Sequence, residues 1–154
     1  MRRQDRLVKD NTDIEVIISR SDVCRIAFAD RNIPYIVTMN FGYIGGDNPC
    51  LYFHCAPEGR KIEFIGKNNL VCFEMDTDHE LYKGENGCDW GMKYSSVVGY
   101  GKISIIKDKE EKKRGLDSIM LHYSDRNDFT YDEKIMSVTT ILRLDIEELT
   151  GKRK

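Results

Sequence analysis

Three extended runs decide the fold: Val23-Cys24-Arg25-Ile26-Ala27-Phe28-Ala29, residues 33–43, and Cys50-Leu51-Tyr52-Phe53-His54-Cys55. Each is rich in β-branched and aromatic residues, which favour a pleated, half-buried strand. Strong turn formers separate them, Asp30-Arg31-Asn32 first and Gly45-Gly46-Asp47-Asn48-Pro49 second. Strands joined by tight turns form an antiparallel meander.

The pattern continues on both sides. Upstream, Thr12-Asp13-Ile14-Glu15 has capping-box spacing, and a helix over 13–20 places Ile14, Ile17 and Ile18 on one face. Downstream, Pro57 suits the first turn of a helix whose apolar side is Ile62, Phe64 and Ile65. Residues 70–75 read as a fourth strand, 76–93 as a long polar loop holding the single tryptophan, and 95–107 as a fifth strand. Asp108 is the expected N-cap of a helix to about residue 124, with Leu116, Ile119, Met120 and Tyr123 as its apolar stripe. A short helix over 131–136 and a last strand over 137–146 complete the chain. These elements predict a mainly β (α+β) domain spanning residues 1–154: a six-stranded antiparallel barrel flanked by helices. Neither an alternating βαβ order nor a Gly-x-Gly-x-x-Gly after a strand is found.

The bulk properties fit this. A chain of 154 residues with 40% hydrophobic and 32% charged residues is one globular domain. A net charge of -2 gives no global attraction to nucleic acid or an anionic membrane, so neither is an expected partner. No apolar run approaches the ~20 residues of a bilayer span. The N-terminus lacks a signal-peptide pattern. The five cysteines, Cys24, Cys50, Cys55, Cys72 and Cys88, are odd in number, which suits free thiols in a reducing compartment. Cytoplasm is the expectation.

The strongest chemical signal is Ala56-Pro57-Glu58-Gly59-Arg60-Lys61, where a strand ends and a helix begins. Helix N-termini present unpaired amides and partial positive charge. Two cations there oppose helix stability unless an anion such as phosphate is held. Local physics leaves this open against two idle, solvated cations. His54, on the strand face of Cys50 and Tyr52, would border a cleft if Leu51 and Phe53 fill the core. Trp90 and Tyr94 could stack on a flat ring and Ser96 bond to one, or Trp90 could plug a gap. A metal site is not expected, because no Cys-x-x-Cys pair exists and Cys50 and Cys55 face opposite ways. No nucleophile elbow supports hydrolysis.

These strings, with Pro34-Tyr35-Ile36-Val37-Thr38-Met39-Asn40-Phe41-Gly42-Tyr43, Cys88-Asp89-Trp90-Gly91-Met92-Lys93-Tyr94-Ser95-Ser96 and Leu149-Thr150-Gly151-Lys152-Arg153, have a shared order. In that order the chain resembles the pyridoxamine 5′-phosphate oxidase-like split-barrel flavoproteins, in their nitroimidazole-resistance (Nim-type) branch. The resemblance implies a split β-barrel, a homodimer, and FMN between the subunits. It implies that Thr38, Met39, Asn40 and Phe41 line the flavin ring, that His54 borders ring and substrate as the catalytic residue, and that Arg60 and Lys61 take the phosphate. Trp90 and Ser96 would approach the flavin, from the same or the partner subunit. The implied activity is reduction of a small electrophile such as a nitro compound, with NAD(P)H as a possible donor. A non-catalytic flavin- or haem-binding carrier or sensor is the alternative. No match to the C-terminal substrate segment of pyridoxamine phosphate oxidases is found, so vitamin B6 oxidation is not expected.

Overall fold

The computed structural model describes residues 3–154. Met1 and Arg2 lie outside the described residues. The strands are β1 (Leu7–Val8), β2 (Cys24–Asp30), β3 (Ile33–Met39), β4 (Gly42–Ile44), β5 (Cys50–Cys55), β6 (Leu70–Tyr82), β7 (Gly91–Ile106) and β8 (Thr140–Arg153). The helices are α1 (Asn11–Arg20), α2 (Arg60–Lys67), α3 (Lys109–Tyr123) and α4 (Glu133–Val138). All eight strands join one antiparallel sheet in the order β3-β2-β6-β7-β8-β5-β4, with β1 against β8. The two ends of that order do not pair, so the sheet is not closed.

The mainly β architecture with flanking helices is as expected, but the strand count rises from six to eight. Residues 33–43 break into β3 and β4, and Leu7–Val8 pairs with Lys152 and Gly151. The expected loop over 76–93 is largely strand. β6 and β7 pair out to Tyr82 and Gly91 after a bulge between Thr77 and Glu80, leaving only 83–90 as the turn. Polar residues there reflect a projecting hairpin wet on both faces, not a lack of pairing.

Two caps also differ. Asp10, not Thr12, caps α1, accepting the Thr12 amide at 2.8 Å. Glu15 instead accepts the Tyr43 hydroxyl at 3.2 Å. α2 begins at Arg60 rather than at Pro57, with Gly59 as N-cap at φ 125°. Only glycine adopts that conformation without strain, so Pro57 stays in the preceding turn. Asp108 caps α3 as expected, accepting the Glu111 amide at 2.9 Å.

The interior face of the sheet carries the main core, with Ile26, Phe28, Phe73, Ile103 and Leu144 fully or almost fully buried. α1 covers it with Ile14, Ile17 and Ile18, and α2 adds Phe64. α3 packs on the other face of β5 and β8, over Cys50, Tyr52 and Ile141. β5 is therefore buried on both faces. Beneath α3, the buried Tyr52 hydroxyl donates to Glu111, which also accepts from Arg143 at 2.8 Å. The Tyr52 bond, helped by Arg143, holds the Glu111 carboxyl below its ordinary value of 4.5. A lowered folded-state value means stability present above about pH 4.5 and lost as pH falls through the lower folded value. Glu111→Gln should therefore flatten the acid limb of stability below that pH, measured by urea unfolding across pH. An unchanged acid limb contradicts this.

α3 approaches β4 closely because Gly42 has no side chain. A Cβ there would collide with the backbone of Ser118 and Ile119. Gly42→Ala is expected to lower unfolding stability by ~1–3 kcal/mol, the usual cost of overpacking. An unshifted urea midpoint would refute that contact.

Candidate functional site

The open side of the sheet has a specific cause. The chain leaves β3 at Met39, crosses at Asn40 and Phe41, and joins β4 at the opposite end of the sheet order. The Phe41 amide donates to the Tyr123 hydroxyl at 3.1 Å, and its buried ring lies 4.2 Å from the His122 ring centre. Tyr123 in turn donates to the Asp22 carbonyl at 2.8 Å, and His122 Nε2 donates to the Ser21 carbonyl at 2.8 Å. The crossing is thus pinned to the ends of α1 and α3.

A cleft of about 700 Å³ lies in this gap. Thr38, Met39 and Asn40 form one side, His54 and the turn through Pro57 the other, and Lys61 one end. Among the described residues β3 pairs only with β2, so its outer edge offers unpaired backbone donors and acceptors beside the cleft.

At the head of α2 the Ile62 and Glu63 amides close on the Gly59 carbonyl at 2.9 and 3.3 Å. The Arg60 and Lys61 amides precede the first intrahelical bonds and carry the positive end of the helix. Space is open where a Gly59 side chain would stand. This end of the cleft suits an anion.

The structure divides the residues singled out from the sequence. Thr38, Met39, Asn40, His54 and Lys61 share the cleft. Phe41 is fully buried and serves the crossing. Arg60 turns away: its guanidinium carbon stacks 4.7 Å from the Tyr35 ring centre and 5.6 Å from that of Phe64. Trp90, at the β6–β7 turn, donates its indole N–H to the Gly84 carbonyl at 2.9 Å and is 48% exposed. Ser96 lies in β7 between Asp76 and Lys152. Neither borders this chain's cleft. Val138 and Thr139 do border it, at the junction of α4 and β8. Reading 137–146 as one strand hid that junction, and no sequence signal marks it.

His54 follows from strand alternation. Cys50 and Tyr52 on its face lie beneath α3, and His54 is the next residue, past that cover and exposed. Its imidazole makes no hydrogen bond or ion pair to any described residue. Both nitrogens are therefore available to a ligand, as hydrogen-bond donor and acceptor or for proton transfer.

Cys55 is the other reactive type in the cleft. Burial pushes its thiol upward, against a smaller opposite influence from Lys61. The thiol stays protonated at neutral pH and is a poor nucleophile. Alkylation by iodoacetamide at pH 7.5 should therefore reach the exposed Cys88 well before Cys55, read by peptide mass mapping. Faster modification of Cys55 would contradict this.

Comparison with known proteins adds a lineage. The profile of the family described as pyridoxamine 5′-phosphate oxidase matches residues 10–153. A putative 5-nitroimidazole antibiotic resistance protein from Bacteroides thetaiotaomicron is 35% identical, over 96% of this chain and 86% of that one, with a TM-score of 0.83. The flavocytochrome Anf3 from Azotobacter vinelandii is 15% identical over 100% of this chain and 72% of its own, at a TM-score of 0.82. An FAD and heme binding protein from Mycobacterium smegmatis is 13% identical over 97% and 73%, at 0.84. The last two likenesses establish the fold alone. No curated protein matches the chain significantly.

Proposed function

The chain belongs to the pyridoxamine 5′-phosphate oxidase family, and from that premise we propose that it is an FMN-dependent oxidoreductase reducing a small electrophile such as a nitro compound. The observation that carries this reading is the cleft in the split of the sheet. It joins an unpaired strand edge, an anion-suited helix head and an uncommitted imidazole. The similarity to a putative nitroimidazole resistance protein supports the substrate class.

The residues present fit FMN. Lys61 and the first amides of α2 would hold its phosphate by charge-assisted hydrogen bonds. The backbone of 38–41 would meet the polar edge of the ring. Arg60 joins the phosphate only by leaving Tyr35 and Phe64. Bound there, FMN supplies hydride and single-electron transfer, while the protein supplies orientation and electrostatics. His54 would hold the substrate or pass it a proton. NAD(P)H is the proposed donor, and a reducing cytoplasm suits five free thiols.

A homodimer completes the proposal. On the outer face of the sheet Ile36, Ala27, Cys72 and Tyr100 are successive cross-strand neighbours. Ile36 is 64% and Tyr100 47% exposed, an apolar band that a second copy would cover. The partner's copies of Trp90 and Ser96, idle toward their own cleft, would then approach the flavin. The alternative, a flavin or haem carrier without turnover, shares the cleft and differs in chemistry: His54 would serve as a ligand only.

Lys61→Ala should weaken FMN binding by ~1.5–3 kcal/mol, the worth of a charge-assisted hydrogen bond, measured by quenching of flavin fluorescence. Arg60→Ala should weaken it less, because that side chain starts from a stacked position. His54→Ala should lower turnover of a nitro acceptor more than FMN affinity. Equal dissociation constants for Lys61→Ala and the unaltered protein would remove the phosphate assignment. Absence of turnover with every nitro acceptor and donor would favour the carrier.

A further inference from the structure

The first turns of α3 and the segment between α3 and α4 enclose a pocket of about 510 Å³ that shares no lining residue with the cleft. Small-molecule sites span ~300–1,000 Å³. Lys107, Lys109, Lys112 and Lys113 line it, and Glu133 is the single acid among them. Four ammoniums against one carboxylate leave the lining a formal +3.

The acids that accompany these lysines in sequence turn elsewhere. Asp108 accepts the Glu111 amide as N-cap. Glu110 lines a different cavity, between α1, β4 and α3. Glu111 is bonded to Tyr52 and Arg143 beneath the helix. The lysines themselves are thinly partnered. The Lys107 ammonium makes no hydrogen bond or ion pair to any described residue. Lys112 donates to the neutral Thr139 carbonyl at 3.3 Å. Lys109 meets Glu133 at 3.1 Å and Lys113 meets Asp117 at 2.8 Å, exposed pairs of small worth. A helix start disfavours cations, so this one-sided cluster works against α3 unless an anion joins it.

The same pocket has an aromatic side. Phe129 and Tyr131 come from the segment between the helices, and Met136 from α4. Asp117 holds the Tyr131 hydroxyl at 2.9 Å, which fixes that ring. The Arg126 guanidinium carbon lies 5.5 Å from the Phe129 ring centre and adds a cation beside the pocket. An inorganic anion would use the charge and waste the rings, and a neutral ring would do the reverse. A planar ring carrying a phosphate chain uses both. One phosphate brings a charge of at most about -2, short of the lining's +3, and a diphosphate matches it more closely.

We propose that this pocket is a second ligand site, for a nucleoside diphosphate, with the base against Phe129 and Tyr131 and the phosphates among Lys107, Lys109 and Lys112. It stands apart from the flavin reading, because none of these residues borders the cleft. Thr130, Tyr131 and Met136 also line a smaller pocket that reaches His54. Two sources therefore offer this chemistry: a free nucleoside diphosphate, or the adenosine diphosphate part of a dinucleotide whose other ring extends toward His54.

Titration calorimetry with ADP, on FMN-free and FMN-loaded protein, should show one saturable site per chain with the same affinity in both forms. Adenosine and pyrophosphate should each bind at least about tenfold more weakly, since each lacks one half of the contacts. Lys107→Glu should raise the ADP dissociation constant about tenfold or more, and Phe129→Leu at least about fivefold. Lys61→Ala should leave it unchanged. NADH that displaces ADP identifies the dinucleotide source, and NADH that leaves ADP bound identifies the free nucleotide. Absence of saturable ADP binding overturns the proposal, as does pyrophosphate binding as tightly as ADP, or an ADP site lost in Lys61→Ala or on FMN loading. A protein that binds ADP but not FMN keeps this site and removes the flavin reading.

Discussion

An antiparallel sheet whose end strands do not meet leaves a row of backbone groups without partners, and the candidate site depends on that. β3 pairs with β2 alone, and the chain then crosses to β4 instead of closing the ladder. Unpaired edges are normally protected by charge, bulges or cover. Here the edge is left beside a cleft, and the crossing that keeps it open is held by Phe41. Its amide and ring are both fixed by the end of α3, which is itself tied to the end of α1. The opening is therefore a product of packing.

Double-sided burial of β5 places the chemistry. Leu51 and Phe53 fill the main core, while Cys50 and Tyr52 lie beneath α3 with Ile119. The same alternation puts His54 on the α3 face one step past its cover, where the imidazole is wet and uncommitted. The turn that follows needs Gly59 at positive φ, and this starts α2 with its unpaired amides and Lys61 toward the cleft. Strand, turn and helix head thus bring an uncommitted imidazole and the positive end of α2 with Lys61 to one opening.

Much of this was legible in the residues. The period-two runs, the turn formers and Asp108 lead directly to the β2–β3 and β4–β5 hairpins and to α3, but the single meander expected across the three runs does not form, because β3 and β4 sit at opposite ends of the sheet order. The face of His54 followed from alternation, because two bulky apolar neighbours fixed which side is the core. What stayed hidden was non-local. Nothing around Asn40 announces that one extended run serves two ends of a sheet, because the break depends on Tyr123 and His122, far along the chain. Arg60 and Lys61 are adjacent and chemically alike, yet Tyr35 and Phe64 draw one of them away by stacking. The hairpin over 76–93 was obscured by polarity, since strands wet on both faces lack the alternation that marks a half-buried one.

The central claim is that the split of this sheet is a flavin site. Its most direct test is the visible absorbance of the purified protein after incubation with FMN and removal of free ligand by gel filtration. Flavin bands that co-elute with the protein, at about one FMN per chain, are the result expected. A colourless protein peak, with all flavin in the small-molecule fraction, would contradict it.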